Sequence, residues 1–414
     1  MEDSILVIGG GISGMTAAVE AAECGKQVYL VEKEAYLGGR VSRMNKYFPK
    51  LCPPYCGIEI NFRRIRSNPN IQILTLSEVE NVKGSKGDFT ATIKTKPRYV
   101  KQKCVACDDC VKVCPVSRSD DFNYDMSETK AVYLPHQMAM PMKHVIDMDV
   151  CKGESCGECV KACKYDAIDL KMKESLTTVK VGSVVYATGW KPYDASKIAN
   201  LGYSEIENVI SNVEMERLAA PNGPTGGKLL RRDNGEPVKT VAFVQCAGSR
   251  DENHLPYCSA ICCMASLKQA TYVREQYPDS EVYIFYIDLR APGKYEAFYN
   301  KVDSDEKVHI IKGKVAKVEK DGSGMAVVTA EDILGGGKIK VACDLVVLAT
   351  GMEPAFKGNG AEVKFDENGF IPLDLQTAEG IFATGVAKRP TDVTTSIQDA
   401  TGTALKAIQA SVEK

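Results

Sequence analysis

The sequence predicts an α/β protein in which two dinucleotide-binding-type domains carry an inserted α+β segment. A glycine turn between a short apolar strand and a helix opens the chain, within residues 4–32. A second strand–loop–helix unit begins near residue 240, and a cysteine-rich stretch at about 101–170 interrupts a series of short alternating strands. Strands that alternate with helices are typical of a largely parallel sheet covered by helices.

Composition and charge exclude several classes of protein. The 414 residues carry 52 Lys and Arg against 54 Asp and Glu, so there is no basic excess for nucleic acid or anionic lipid. The longest apolar runs, SVVYATGW and DLVVLATGM, are far shorter than the ~18 residues of a membrane-spanning helix. The N-terminal MEDSILVIGGG has no signal-peptide pattern. We therefore expect no nucleic-acid partner, no membrane span and no secretion.

Sixteen cysteines indicate metal or redox chemistry. A disulfide-based scaffold would be short and secreted, which this chain is not expected to be. We therefore expect a reducing, cytoplasmic compartment, in which closely spaced cysteines act as ligands or free thiols.

The N-terminal glycine turn predicts a dinucleotide site. Gly9-x-Gly11-x-x-Gly14 follows a strand and opens a helix, and Glu32 ends the next strand, 18 residues beyond Gly14. Gly9 permits the tight turn, Gly11 lets the backbone approach the pyrophosphate, and Gly14 allows close helix–strand packing. The helix N-terminus faces the anion, and the Glu32 carboxylate accepts hydrogen bonds from the ribose hydroxyls.

Later glycine turns favour FAD over NAD. Gly38-Gly39-Arg40 resembles the second glycine loop of flavoproteins with two dinucleotide-binding domains, and Ala-Thr-Gly turns recur at 187–189, 349–351 and 383–385. Val386 stands where that superfamily usually has an Asp that binds the ribityl chain, so we expect this contact from the backbone or another side chain. The predicted FAD-binding residues are Gly9, Gly11, Ser13, Gly14, Glu32, Lys33, Gly39, Arg40, Thr188, Gly189, Gly351 and Gly385; catalytic residues are not assigned.

Two cysteine runs predict a pair of [4Fe-4S] clusters. The first, Cys104-x2-Cys107-x2-Cys110-x3-Cys114-Pro, matches the bacterial ferredoxin run, in which the fourth cysteine binds the other cluster. The second run departs from it, with four residues between its first two cysteines and Lys164 where Pro is usual. Zinc is the rival metal. Cross-ligation groups Cys104, Cys107 and Cys110 with Cys163, and Cys151, Cys156 and Cys159 with Cys114. Without Cys151, a three-iron cluster is expected.

A third cysteine group occupies the region where a second dinucleotide motif is expected. Only Gly248 remains of that motif, and Cys246, Cys258, Cys262 and Cys263 follow or flank it. These four could bind a third [4Fe-4S] cluster, form a redox thiol pair, or simply pack as buried thiols. Cys52 and Cys56 are possible extra ligands or a flavin-linked thiol pair. We expect Cys24 and Cys343 to be core residues, and His136, His144, His254 and His309 to be structural or exposed.

The segments GGGISGMTAA, GGRVSRMNKYFP, CVACDDCVKVCP, QCAGSRDE, PYCSAICCM and IFATGVAKRPTDV together resemble the A-subunit family of heterodisulfide reductases (HdrA family). The resemblance covers essentially the whole chain. It implies a thioredoxin-reductase-like flavoprotein fold with an inserted ferredoxin-like domain, FAD, two ferredoxin clusters and a further cluster on the later cysteine group. The expected domains are FAD-binding (1–97, 174–236 and 346–414), ferredoxin-like (98–173) and second nucleotide-binding-like (237–345).

The resemblance also suggests partners. The length is similar to the short form of the family found in quinone-interacting membrane-bound oxidoreductase complexes. This likeness implies partnership with both a related flavoprotein subunit and a membrane haem/quinone subunit. It further implies that the complex links the menaquinone pool with adenylylsulfate reductase, the redox partner. The protein would then lie on the inner face of the cytoplasmic membrane through a partner subunit.

Three functions remain open on the sequence alone. The chain could be a redox subunit of such a complex or of a soluble, possibly electron-bifurcating, heterodisulfide reductase. It could be an NAD(P)H-dependent flavoenzyme with Cys262 and Cys263 as its dithiol, or a scaffold with a vestigial flavin. The missing second glycine motif counts against NAD(P)H, and the intact ferredoxin motifs count against a scaffold.

Overall fold

The structure, a computed structural model, describes residues 4–48, 50–356, 358, 363–372 and 379–412. Its helices are α1 Ile12–Glu23, α2 Tyr55–Ser67, α3 Asp109–Lys112, α4 Glu158–Ala162, α5 Asn212–Ala219, α6 Cys262–Gln276, α7 Glu296–Asp303 and α8 Val393–Val412. Its strands are β1 Ser4–Ile8, β2 Gln27–Val31, β3 Ile71–Leu74, β4 Ser77–Ser85, β5 Asp88–Thr95, β6 Ser117–Ser119, β7 Glu128–Lys130, β8 Val132–Tyr133, β9 Val145–Ile146, β10 Ser175–Val181, β11 Ser183–Tyr186, β12 Trp190–Pro192, β13 Val209–Ser211, β14 Thr240–Ala247, β15 Glu281–Tyr286, β16 Val308–Lys312, β17 Val315–Lys320, β18 Ala326–Glu331, β19 Lys338–Cys343, β20 Leu345–Thr350, β21 Met352–Pro354 and β22 Ile381–Ala383.

A parallel five-stranded sheet forms the first domain, in the order β22-β11-β1-β2-β3. Helices α1, α2 and α8 pack on one face, where Val7 and Met15 are fully buried. The antiparallel sheet β10-β5-β4 covers the other face, where Leu6 packs with Phe89. Because both faces of β1 are covered, the strand is a continuous apolar run rather than an alternating one.

The second domain has the same plan, but a longer loop connects its central strand to the helix that follows. Its parallel sheet has the order β13-β20-β14-β15-β16, with α5, α6 and α7 on one face and the antiparallel sheet β17-β18-β19 on the other. The paired strands β12 and β21 carry the chain between the two domains. None of the helices in the described part of the chain combines the length and hydrophobicity of a membrane-spanning segment.

The cysteine-rich segment leaves and re-enters the first domain at one place. Strands β5 and β10 pair antiparallel with Thr95 opposite Ser175, so the chain between them forms an insertion. The insert contains α3, α4 and the two-stranded pairs β6-β7 and β8-β9, around a small core of Val100, Val132 and Ile146. The predicted α/β class with an inserted α+β domain is confirmed. The domain bounds differ from those expected, because β13, α5 and β20 pair with or pack on the second sheet and so belong to the second domain rather than to the FAD-binding segments.

A buried arginine joins the insert to both domains. The Arg217 side chain on α5 is fully buried, and its Nε donates to Asn123 Oδ1 of the insert at 2.8 Å. Its Nη1 donates to the Arg43 carbonyl of the first domain at 3.2 Å, and its Nη2 to the Asn222 carbonyl at 3.0 Å. The guanidinium also lies 4.7 Å above the Phe122 ring. Each of the three guanidinium nitrogens thus donates a hydrogen bond to a different part of the fold.

Candidate functional site

A cavity of about 380 Å³ lies between the first and second domains, at the carboxyl ends of the first sheet's strands. Ligands of open α/β sheets bind at this edge. Nine of the predicted FAD-binding residues line it, namely Gly9, Gly11, Ser13, Glu32, Lys33, Gly39, Arg40, Thr188 and Gly189. The structure thus brings together residues that are more than 150 positions apart in the sequence; their contact with FAD remains a prediction.

The start of α1 fits a pyrophosphate. A side chain built at Gly11 would meet no protein atom within 4 Å, although Gly11 lines the cavity. The helix begins at Ile12 without a side-chain cap and without an acidic residue in its first turn. The first backbone N–H groups of a helix favour an anion. The missing side chain therefore leaves room for a ligand rather than for packing.

Glu32 is buried beside the same turn. Its Oε2 accepts a hydrogen bond from Gly10 N at 2.6 Å, and its Oε1 accepts one from Glu34 N at 2.8 Å. Burial raises the pKa of Glu32 from 4.5 to about 6, although these two N–H groups act in the opposite direction. The carboxylate is thus held in one orientation at the cavity wall, as a ribose-binding residue requires.

Three predicted contacts lie outside the cavity lining. Gly14 packs against the Gly9 carbonyl, Gly385 lies behind the Ser13 hydroxyl, and Gly351 faces the hydroxyls of Ser249 and Ser259. Their glycine character therefore serves packing in this structure. Instead of Gly351 and Gly385, their neighbours Met352 and Val386 line the cavity.

Two carboxylates lie near Val386, the position at which flavoproteins with two dinucleotide-binding domains usually have an Asp. Asp399 accepts hydrogen bonds from Gly385 N and Thr384 Oγ1, each at 2.9 Å, and pairs with Lys388. Asp392, immediately before α8, lines the cavity and accepts from Thr395 N at 2.8 Å. Another carboxylate thus reaches this wall, and its Asp-x-x-Thr pattern at a helix start was readable in the sequence.

The second domain contributes a cavity wall that no local sequence pattern predicts. Met264 and Lys268 of α6 and Tyr295 line the cavity, and Tyr295 meets Phe48 of the first domain edge to face at 4.6 Å. The buried Lys268 ammonium donates to the Lys46 carbonyl at 2.6 Å and pairs with Glu216 at 2.8 Å. No local sequence signal identifies these residues, because only the tertiary packing places them at the cavity.

The eight insert cysteines surround two small cavities. Cys104, Cys107, Cys110 and Cys163 line one of them, and Cys114, Cys151, Cys156 and Cys159 line the other. These are the two cross-ligated sets expected from the sequence, with Cys151 included. Helices α3 and α4 pack together and bring the last cysteine of each run to the opposite cavity. Coordination by these thiols remains a prediction.

In the described ranges, no group of three or more His, Cys, Asp or Glu side chains is arranged to hold a metal ion in the structure as it stands. Burial raises the pKa of Cys110 to about 12, so this thiol is neutral in the chain alone and must lose its proton on binding iron.

The 380 Å³ cavity, in which FAD is predicted to bind, is called the flavin cavity from here on. The third cysteine group forms a separate cavity beside it. Cys246, Cys258, Cys262 and Cys263 line it together, with Cys262 and Cys263 buried at the start of α6. Arg250 and Arg290 belong to the same wall. Ala260 lines both this cavity and the 380 Å³ cavity, so the two cavities share part of their wall.

The expected second pyrophosphate cradle is replaced by a loop. In the first domain only residues 9–11 separate β1 from α1, whereas residues 248–261 separate β14 from α6. Gly248 has φ +75°, and a side chain there would collide with the Tyr193 ring at 2.6 Å. The Tyr193 hydroxyl bonds to His254 Nδ1 at 2.8 Å. The protein's own aromatic ring thus occupies the space that Gly248 leaves.

The remaining cysteines and histidines are dispersed. Cys52 is half-buried and Cys56 exposed near the start of α2, and neither lines the flavin cavity. The expectation that Cys24 is a core residue is wrong, because it follows the last residue of α1 and is exposed; Cys343 is buried as predicted. His144, expected to be structural or exposed, is buried against a cysteine of the first insert cavity.

Comparison with known proteins shows a likeness over nearly the whole chain. Residues 4–188 match the family model "FAD dependent oxidoreductase", and residues 281–400 match "Pyridine nucleotide-disulphide oxidoreductase". Over 98% of its length, the chain is 38% identical to the A-subunit of the ferredoxin/F(420)H(2)-dependent CoB-CoM heterodisulfide reductase of Methanosarcina acetivorans. It is 37% identical, over 98% of its length, to the iron-sulfur A-subunit of the CoB-CoM heterodisulfide reductase of Methanocaldococcus jannaschii. The chain is similar to the A-subunits of heterodisulfide reductases, the HdrA family.

The match over residues 4–188 gives the chain an FAD-dependent oxidoreductase domain. The chain spans 53% of the M. acetivorans relative and 64% of the M. jannaschii relative. Among solved structures, it is similar to the thioredoxin reductases of Lactococcus lactis (TM-score 0.55, 14% identity) and T. acidophilum (TM-score 0.53, 15% identity), with 99% of each chain covered. These likenesses confirm the thioredoxin-reductase-like fold.

Proposed function

We propose that this chain conducts electrons between FAD, three [4Fe-4S] clusters and partner proteins, and does not oxidise NAD(P)H. FAD exchanges electrons in pairs or singly, and iron–sulfur clusters exchange them singly. The observation that carries the proposal is the wall shared by the flavin cavity and the Cys246 group, where Ala260 lines both. The chain's own task is to hold these centres close together and out of water.

The flavin cavity and the third cysteine group meet at the start of α6. Cys262 and Cys263 begin this helix, and Lys268 lies one to two turns further along on the cavity wall. The helix N-terminus favours the negative charge of thiolate ligands. One rigid element thus positions both the proposed ligands and the cation beside the flavin.

The NAD(P)H-dependent alternative is disfavoured by the second domain. Hydride transfer requires a nicotinamide held against the flavin, and the pyrophosphate cradle normally supplies much of that binding. Here Tyr193 fills the space beside Gly248, and the 248–261 loop carries the cysteines instead. As a redox dithiol, Cys262 and Cys263 would need access to a substrate, yet both are buried.

More specifically, we propose that the chain links the menaquinone pool with adenylylsulfate reductase. The family motifs support it. Contact with quinone would come through a membrane haem/quinone subunit, which would keep this chain on the inner face of the cytoplasmic membrane. The relatives' names favour a second candidate, in which the chain serves a heterodisulfide reductase complex.

Anaerobic flavin bleaching tests the proposal. The chain should show negligible reduction by NADH or NADPH alone. It should be reduced when the membrane partner and a reduced menaquinone analogue are supplied, and reoxidised by adenylylsulfate reductase. Reoxidation by a CoB-CoM heterodisulfide in the presence of its reductase subunits would favour the second candidate. Rapid stoichiometric bleaching by micromolar NADH would overturn the conduit function.

The third cluster has its own test. Cys262→Ala should lower the iron content by about four atoms per chain and remove one cluster signal, because the cluster loses a ligand. Cys343→Ala is the matched control, since Cys343 is also fully buried but lies on β19 away from the group. Iron near eight atoms per chain, unchanged by Cys262→Ala, would restrict the clusters to the insert.

A further inference from the structure

We propose that His144 donates a hydrogen bond to the ligand sulfur of Cys104, and that this bond gives the Cys104 centre the higher reduction potential of the two insert centres. The Cys104 centre is the group of Cys104, Cys107, Cys110 and Cys163, and the Cys151 centre is the group of Cys151, Cys156, Cys159 and Cys114. This inference rests on the proposed function, because it requires that both groups hold clusters.

The geometry around His144 is closely defined. The side chain is only 1% exposed and lines the cavity of the Cys104 centre. Its Nδ1 lies 3.6 Å from Cys104 Sγ, and its Nε2 lies 2.7 Å from Asp108 Oδ1. Asp108 stands at the start of α3 with φ +63°, and its side chain is 56% exposed. The imidazole is therefore fixed between a sulfur and a carboxylate.

The identity of the sulfur determines where the hydrogen of its contact lies. A sulfur that binds iron carries no proton, so the hydrogen of the Nδ1–Sγ contact must lie on Nδ1. Asp108 holds the ring in this orientation through its contact with Nε2. A hydrogen bond donated to a ligand sulfur withdraws electron density from it, which stabilises the reduced cluster.

Among the described side chains, only His144 hydrogen-bonds to a sulfur of either centre, whereas each centre has one backbone donor. In the Cys104 centre, Ala167 N donates to Cys163 Sγ at 3.3 Å. In the Cys151 centre, Gly153 N donates to Cys151 Sγ at 3.4 Å. Since these backbone bonds are nearly equal, we expect them to affect the two potentials alike. The His144 bond is thus the difference in sulfur hydrogen bonding between the centres, and it assigns His144 as a positioning residue that tunes the potential.

Redox titration followed by EPR tests the inference on the anaerobically purified full chain. Cys107→Ser and Cys156→Ser first assign the two insert signals, because each should alter only its own centre. His144→Leu removes both hydrogen bonds of the ring. His144→Asn places an amide near the position of Nδ1, facing Cys104, whereas His144→Gln reaches toward Asp108. His136→Leu is the control, because His136 is also buried in the insert but lines neither cysteine cavity.

We expect His144→Leu to make reduction of the Cys104 centre about tenfold less favourable, a shift of ~59 mV for one electron. The Cys151 centre should be unchanged, and His144→Asn should restore most of the shift while His144→Gln should not. If His144→Leu loses the cluster, the inference is tested by comparing the potentials of the Cys104 centre in the Asn and Gln variants. Equal movement of both centres, or of neither, would overturn the inference alone. Absence of both insert signals from the wild-type chain would overturn the proposed function.

Discussion

Gly11 and Gly248 follow buried strands of the two domains, but their missing side chains face different surroundings. Beside Gly11 the space is open and belongs to the flavin cavity. Beside Gly248 the Tyr193 ring fills it. A glycine after a strand therefore indicates a ligand in one domain and internal packing in the other, and only the neighbouring side chain distinguishes them.

Gly11→Leu should yield folded protein without flavin. A Cβ at this position meets no protein atom within 4 Å, and the leucine side chain would extend into the volume in which the pyrophosphate is expected. Flavin absorbance and thermal unfolding measure the two effects separately. Gly402→Leu is the control, because Gly402 also has open space around it but lies on the exposed side of α8. Unchanged flavin content in Gly11→Leu would contradict the site.

Glu32 should make the flavin-free protein less stable as the pH rises. Its pKa is raised by burial from 4.5 to about 6, so folding favours its protonated form. This contribution is fully present below pH 4.5 and is lost as the pH rises through about 6, amounting to about 2 kcal/mol. In the Gly11→Leu background, urea unfolding should show this pH dependence, and adding Glu32→Gln should remove it. Parallel curves would show that Glu32 does not titrate in this range.

Helix α6 of the second domain contributes residues to the wall of the flavin cavity and to the third cysteine group. Its N-terminus carries two cysteines of the third group, and its second turn carries Lys268. Glu216 of α5 balances this buried ammonium and also accepts from Tyr272 at 3.2 Å and from Gln269 at 2.7 Å. The helix is thus held by a polar network as well as by apolar packing.

Lys268→Met should destabilise the protein by about 3–5 kcal/mol, because it leaves the Glu216 carboxylate buried without its cation. The double variant with Glu216→Gln should recover part of this loss, since it removes the uncompensated charge. Urea unfolding provides the free energies. Lys317→Met, on an exposed pair with Glu319, should change stability by less than about 0.5 kcal/mol. If the double variant were less stable than Lys268→Met, charge burial would not be the cause.

The elements that were predicted from sequence are those whose signal is local. The glycine turn of β1 and α1, the cysteine runs and the interruption of the β5–β10 meander all follow from spacing along the chain. Lys268, Tyr295 and His144 could not be found in this way, because the packing of distant segments places them at their sites. Cys24 was misassigned because one position beyond the end of α1 changes a buried face to an exposed one.

At the scale of the whole molecule, the insert is attached through contacts with both domains. Arg98 donates to the Ala35 carbonyl and to Thr75 Oγ1 of the first domain, and Leu37 N donates to the Met140 carbonyl at 2.8 Å. Ala35 lies between Glu34 and Tyr36, which line the flavin cavity. The insert therefore packs directly on the loop that forms the cavity wall.

Arg217→Met should weaken the contacts that join the insert to the two domains. It leaves Asn123 Oδ1 and two backbone carbonyls without their donor, so the insert loses its tie to the second domain. Amide exchange should rise at residues 120–124, as measured by mass spectrometry. Arg231→Met is the control, because Arg231 pairs with Asp233 and Asp344 inside the second domain. Equal exchange at 120–124 in both variants would show that the insert does not depend on this arginine.

The pairing of Thr95 with Ser175 has a kinetic consequence. A domain on a single flexible tether must diffuse toward its partner before each electron transfer, and that search slows as the solvent becomes more viscous. Here both ends of the insert emerge from neighbouring, hydrogen-bonded strands, so the insert has no free arm on which to swing. This attachment restrains the distance between the flavin cavity and the insert, so we expect electron transfer between a bound flavin and the insert to proceed at the same rate in water and in a viscous medium.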